Sequence, residues 1–348
     1  MFDKLKPAIP KQKSPVKSDS AIGLDIGNYA VKVCQLGFQD KQFKLTGFGY
    51  SQLDILNPKA TVDAIKNVCS QARISSKKVN VSVFPDGVII RYLLLPLMSD
   101  EELRKAMSFE IERYVPFSKE EVVSDYQILK VDEEKKNIKV LMVAAKKETV
   151  DSRAKLLQEA GLEPQVVTID SMVLKNVFQE NYAEKKNITV GLLNIGAKVT
   201  NINIIRDNYC YFMRDVQIGG ENITNLLKEK FDLDTNLAEQ KKSLLNPGDQ
   251  EAFKIIEPVL GNLLNEIYLS FDYYESEFGL VVEEVYLSGG TANLNWLADF
   301  FKENLGRQIS VLNPFKNIAI DHSIDPQKVA NLATSLTVPV GLALEAFN

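Results

Sequence analysis

The chain has 348 residues, too many for one compact core and enough for two domains. Lys and Arg number 41 against 46 Asp and Glu, and the resulting net charge of −5 argues against a general nucleic-acid surface. One histidine, His322, and three scattered cysteines, Cys34, Cys69 and Cys210, argue against a zinc centre, a histidine-based acid–base pair and a disulfide framework. No uninterrupted apolar run approaches the roughly 18 residues of a membrane span. The expectation is a soluble protein of the reducing cytoplasm.

Residues 1–20 differ in kind from the rest. Lys4, Lys6, Lys11, Lys13 and Lys17 outnumber Asp3 and Asp19, while Pro7, Pro10 and Pro15 break any helix. This composition predicts a disordered, solvated basic tail. A weak electrostatic contact with anionic lipid, helped by Phe2 and Leu5, is the sharper alternative.

Beyond the tail, strands and helices alternate. Residues 21–36 read as two strands about a tight loop, and 43–50 as a third. Val62, Ile65 and Val68 recur at helical spacing and predict a helix over 58–72, with a strand at 79–84. A strand at 92–95 stops at Pro96. Ser99 with Glu102 then forms a capping box, and Leu103, Met107, Ile111 and Tyr114 supply one apolar stripe until Pro116. Strands over 126–131 and 138–145 flank a charged turn, and a helix over 148–160 ends at Gly161. This region predicts a small α+β unit, at about 91–163, inserted into the first domain. The second half reads as strands over 190–206 and 209–216, helices to 278, and a strand over 281–287. Gly289 and Gly290 then open a further helix, and an apolar helix runs over 329–347.

Two stretches share one design. Ala21, Ile22, Gly23 and Leu24 lead into Asp25, Ile26, Gly27, Asn28 and Tyr29, and then into a second apolar strand. Val190, Gly191, Leu192 and Leu193 lead likewise into Asn194, Ile195, Gly196, Ala197 and Lys198. A glycine in such a turn lets backbone approach a ligand, and the N–H groups that follow can point at an anion. A carboxylate just before the glycine is placed to hold water around a metal ion. Two such hairpins facing each other would clamp a nucleotide's phosphates from both sides. The repeat predicts nucleotide binding by a duplicated α/β fold.

The pattern from Ala21 to Phe347 resembles the actin-like ATPase superfamily, and within it the PilM family of type IV pilus assembly proteins, relatives of FtsA. The resemblance implies an actin-like, ribonuclease H-like duplicated two-domain fold with an FtsA/PilM-type insertion in domain 1. It implies domain 1 over 21–190, domain 2 over 191–322, and a C-terminal helix over 323–348 returning to domain 1. By the same resemblance, Asp25, Gly27, Asn28, Tyr29 and Lys32 form the first phosphate loop, Lys32 reaching the phosphates. Gly196, Ala197 and Lys198 form the second, and Gly220 belongs to the same site. Gly289, Gly290 and Thr291 resemble the adenosine motif, and Glu239 with Lys242 the helix whose side chains touch the nucleoside. An i, i+3 surface ion pair explains that last pair nearly as well. The stretch from Pro96 to Leu129, with Phe109 to Phe117 and Asp125 to Leu129, resembles the family's inserted subdomain.

The resemblance implies ATP or ADP with Mg²⁺, the metal held by Asp25 and Asn194 through water. Asp170 and Asn194 are the candidate catalytic residues. Active relatives generally carry aspartate where this chain has Asn194, and many carry glutamate where it has Ser171. An amide cannot neutralise the cation or draw a proton from water, so binding with weak or absent hydrolysis is expected. The implied function is a nucleotide-binding scaffold of the pilus inner-membrane platform. It would bind the N-terminal tail of a PilN-type membrane protein beside Tyr114, Pro116 and Phe117, with other platform proteins and motor ATPases as further partners. It would be cytoplasmic, peripheral on the inner membrane, and without nucleic acid. An FtsA-like filament protein or an active ATPase or kinase of the superfamily is the alternative.

Overall fold

The computed structural model describes residues 19–53, 58–246 and 248–347. The basic tail expected over 1–20 lies outside them except for its last two residues. The chain opens on three antiparallel strands, β1 (Ser20–Ile26), β2 (Ala30–Gln39) and β3 (Gln42–Gln52). Helix α1 (Pro58–Gln71) crosses to β4 (Lys78–Val83), which lies parallel to β1. An inserted unit follows, built of β5 (Val88–Pro96), α2 (Asp100–Tyr114), β6 (Val122–Asp132) and β7 (Asn137–Lys146). Helix α3 (Lys147–Glu159), strand β8 (Glu163–Ile169) and helix α4 (Asp170–Asn181) complete the first half, with β8 parallel to β4.

The second half repeats the path. Strands β9 (Val190–Ile195), β10 (Thr200–Arg206) and β11 (Tyr209–Val216) form an antiparallel meander. Helices α5 (Gly220–Phe231), α6 (Thr235–Leu244) and α7 (Gln250–Phe278) lead to β12 (Glu284–Ser288), parallel to β9. Helix α8 (Leu297–Leu305) then leads to β13 (Gln308–Val311). The sheet orders β3-β2-β1-β4-β8 and β11-β10-β9-β12-β13 are therefore one topology used twice. Strand β14 (Ala319–Ile320) adds to the first sheet beside β3, and helices α9 (Pro326–Leu332) and α10 (Thr337–Leu344) end the chain. Every residue of β9 is buried, and so is every residue of β1 after Ser20. Strands covered on both faces read as apolar runs rather than as alternation, which is why both stood out in the sequence.

Helices α4 and α10 lie against each other between the sheets, α10 on β1 and α4 on β10 and β11. A Cβ at Gly23 would stand 2.0 Å from the Pro339 carbonyl oxygen, so this approach of helix to strand requires glycine. The segment Pro326–Phe347 has the length and composition of a membrane-crossing helix, with mean hydropathy 1.3, although no single apolar run in it is that long. Two thirds of its most apolar stretch (67%) is buried inside the fold. Its backbone is not the one continuous helix expected but α9, a 3-10 turn, α10 and a final 3-10 turn. It is a core element.

The insertion is a three-stranded sheet, β5-β7-β6. Strand β7 alternates as a two-faced strand must. Val140 and Met142 pack toward Leu103, Met107 and Ile111 of α2, while Leu141 joins the core shared with the second domain. On that side Tyr92 stacks on Phe212 at 6.2 Å, and Lys139 Nζ pairs with Glu277 at 2.7 Å. The capping box forms as expected, Ser99 N–H donating to the Glu102 carboxylate at 2.8 Å. The insertion's bounds differ from the expected 91–163. Its sheet begins at Val88, and α3 belongs elsewhere: Leu157 and Leu162 bury themselves with Ile65, Val68 and Val81 on the six-stranded sheet.

Candidate functional site

The two similar hairpins face one cleft of about 1070 Å³ between the domains. Each turn is closed in the same way. Gly27 N–H donates to the Ala30 carbonyl at 3.1 Å, and Gly196 N–H to the Val199 carbonyl at 2.9 Å. Antiparallel register sets Asp25 opposite Lys32 and Asn194 opposite Asn201. Lys32 Nζ donates to Asp25 Oδ2 at 2.6 Å, a pair almost withdrawn from solvent. In the second hairpin the corresponding pair is neutral: Asn194 Nδ2 donates to Asn201 Oδ1 at 2.8 Å. The Ser288 hydroxyl donates to Asn194 Oδ1 at 3.3 Å, so both ends of this amide are engaged.

Behind Asn201 lies a carboxylate absent from the sequence reading. Asp215 accepts from Asn201 Nδ2 at 2.6 Å and from the Ser171 hydroxyl at 3.1 Å. Burial pushes its carboxyl above the usual range, and these two hydrogen bonds oppose the rise. Asp170 opens α4 and lines the cleft. Its burial, then the charge of Asp25, raise its carboxyl to about 7, against the Ser82 hydrogen bond and Lys32. Asp170 Oδ1 is buried without a hydrogen-bond partner among the described residues.

At the other end of the cleft, Glu239 and Lys242 are not a solvated surface pair. Lys242 is buried, and its Nζ donates to Glu239 Oε1 at 2.8 Å, to the Thr224 hydroxyl at 2.9 Å and to the Gly220 carbonyl at 3.3 Å. Thr224 also donates to Glu239. Tyr29, from the opposite domain, is pushed up to about 12 by burial and then by the charge of Glu239, and Tyr50 rises for the same reasons. Gly289 sits at φ +87°, and a Cβ there would meet the Ile195 carbonyl oxygen at 2.4 Å. The expected helix does not start at this turn. Residues Gly290–Asn293 form a single 3-10 turn and Leu294 is extended, so α8 begins only at Leu297.

The structure thus brings together Asp25, Gly27, Asn28, Tyr29, Lys32, Asp170, Asn194, Gly196, Ala197, Lys198, Glu239, Lys242, Gly289, Gly290 and Thr291. Gly220 is not among the lining residues. It is wedged behind them, its N–H donating to the Gly196 carbonyl at 3.0 Å, with no space for a Cβ beside Thr291. Asn201 was legible in principle, because it repeats the seven-residue offset of Asp25 and Lys32. Tyr114, Pro116 and Phe117 lie apart, on the insertion. Tyr114 and Phe117 are half-buried against their own subdomain core, and Lys146 Nζ sits 4.1 Å from the Phe117 ring centre. That leaves Pro116 as the exposed member of the expected groove.

Among the described residues no group of three or more His, Cys, Asp or Glu could hold a metal ion. Two carboxylates, one with an unpartnered buried oxygen, fit a hydrated Mg²⁺ bound mainly by phosphates.

A duplicated two-domain fold with paired glycine hairpins around an interdomain cleft defines an actin-like protein. The family model for type IV pilus assembly protein PilM matches residues 23–347. The chain belongs to that PilM family. It is similar to a structure described as a PilM–PilN type IV pilus biogenesis complex, at TM-score 0.85 and 26% identity, over 96% of this chain and all (100%) of that one. Ethanolamine utilization protein EutJ from Carboxydothermus hydrogenoformans shares the fold at TM-score 0.56 and 13% identity, over 96% of this chain and 92% of that one. MreB5 of Spiroplasma citri, bound to AMPPNP, shares it at 0.51 and 10%, over 94% and 95%.

Proposed function

We propose that this chain is a nucleotide-binding scaffold of the type IV pilus assembly platform, taking ATP or ADP with Mg²⁺ in its interdomain cleft and hydrolysing ATP near background. The observation that carries the reading is the pair of same-register hairpins, Asp25/Lys32 and Asn194/Asn201, whose turns enter one cleft from two domains. The phosphates lie between these turns, where backbone N–H groups and Lys32 meet them. The nucleoside lies toward Glu239, Lys242 and the Gly289–Gly290 turn. Asp25 and Asp170 would hold the water shell of the metal, with Asn194 beside them, and the metal would supply charge neutralisation to the phosphates.

Slow hydrolysis follows from the residues facing the attacking water. Asn194 has no charge and its amide is already engaged. Asp170 is left as the carboxylate base on this side of the cleft. Turnover well above about 1 s⁻¹, the ordinary enzyme range, would instead favour the active-ATPase alternative.

The partner in this reading is the N-terminal tail of a PilN-type membrane protein, which would place the chain on the cytoplasmic face of the inner membrane. What supports it is the family and the similarity to a PilM–PilN complex. The landing surface is on the insertion, around Pro116. Titration of the full chain with such a tail peptide should show saturable binding, and Pro116→Asp should weaken it about tenfold by putting an unpaired charge in an apolar contact. No binding by the wild type contradicts the partner; equal binding by the variant moves the surface elsewhere.

A further inference from the structure

Arg153 is a cation of the cleft that the nucleotide reading leaves unused. It projects from α3 on the same face as Leu157, is only 6% exposed, and lines the cleft together with Asp25 and Asp170. Its guanidinium carbon lies 4.3 Å from the centre of the Phe84 ring. That cation–π contact is its only direct partner interaction among the described residues: no hydrogen bond or ion pair is made. Burial pulls the guanidinium down from its usual value, while the charges of Asp170 and then Asp25 hold it up. A planar fork of N–H donors is therefore set in the wall of a polar cleft, reaching the cleft itself and with no acceptor from the protein. A guanidinium so placed is free to take an anion that enters the cleft.

The position of Arg153 along the cleft says which anion. Tyr29 and Tyr50 feel the charge of Glu239, which marks the nucleoside end. Arg153 sits instead over Phe84, which directly follows β4, beside the carboxyl ends of β1 and β8 where Asp25 and Asp170 stand. A triphosphate running from Glu239 between the two glycine turns brings its last phosphate to this end. Its charge there meets Asp25 and Asp170, and Lys32 is already paired with Asp25. Arg153 adds to Lys32 and the metal a further cation at this end, one whose fork matches phosphate oxygens and whose plane is steadied by Phe84.

We propose that Arg153 clamps the terminal phosphate of a nucleoside triphosphate, so that this cleft distinguishes triphosphate from diphosphate through one side chain of α3. The proposal rests on the nucleotide reading above. The test is isothermal titration of the full chain with Mg-ATP and with Mg-ADP. Arg153→Gln should weaken Mg-ATP about tenfold or more and leave Mg-ADP within about threefold, with Arg153→Lys intermediate, keeping the charge but losing the fork. Equal loss for both nucleotides, or loss for neither, overturns the clamp. A wild type that binds neither nucleotide removes the nucleotide reading and the clamp with it, and that failure is seen before any variant is made. Melting curves check the fold. If Arg153→Gln does not fold, Arg153→Lys decides alone: a larger loss for ATP than for ADP sustains the clamp, and parity overturns it.

Discussion

Asp25 and Lys32 form an ion pair across the first hairpin, and Asn194 and Asn201 hold the same places in the second with no charge between them. Asn194→Asp is therefore more than the return of a family carboxylate. It removes the donor that Asn201 Oδ1 accepts and sets a new charge toward the buried carboxylate of Asp215. We expect a loss of about 2 kcal/mol in urea unfolding, the cost of a broken buried hydrogen bond. Unchanged stability would show that the amide network is not structural. Asp170 makes a prediction of opposite sign. Its folded-state value of about 7 lies above that of the unfolded chain, near about 3.9. The folded protein keeps this proton where the unfolded chain has released it, so stability falls as pH rises from about 4 to about 7. Asp170→Asn should melt above wild type at about pH 8, with the gap shrinking toward about pH 5. A gap that is constant with pH would mean that Asp170 is ionised throughout.

At the scale of elements, the junction of α10 with β1 is the tightest test of packing. Gly23→Ala would drive a methyl into the Pro339 carbonyl, and helix and strand would have to part. We expect a loss of about 3 kcal/mol, the upper range for overpacking a core, read by denaturant titration; a loss below about 1 kcal/mol would mean that the helix shifts freely. The hairpins were legible because an antiparallel register ties spacing to contact: residues seven apart around a closed turn must face each other. The Gly289–Gly290 element was legible only in part. The left-handed glycine and close approach to Ile195 hold, but Gly289 N–H bonds to the Thr334 carbonyl at 3.0 Å and the chain extends at Leu294 before any helix forms. The insertion's far bound was not legible, because the apolar stripe of α3 looks the same whichever sheet it covers. Leu157 chose the larger sheet.

At the scale of the whole molecule, the cleft joins pieces that no single segment contains. Tyr29 and Asp25 come from one domain, Glu239, Lys242 and Asn194 from the other, and Arg153 from a helix that the sequence reading assigned to the insertion. An arginine on a buried helical stripe, four residues before Leu157, is the one trace that Arg153 left in the sequence. The insertion leans on the second domain through Tyr92, Phe212, Lys139 and Glu277, so in this account a change in cleft opening reaches the surface around Pro116. All of this depends on a nucleotide occupying the cleft, and Gly290 tests it most cleanly. A Cβ at Gly290 meets nothing closer than Ser335 Oγ at 3.6 Å, so a side chain there is tolerated by the fold and occupies the cleft instead. Isothermal titration with Mg-ATP should show binding at micromolar affinity or tighter in the wild type, about −8 kcal/mol, and none in Gly290→Asp with its melting temperature retained. Equal binding by the two proteins, or no binding by the wild type, would contradict the account.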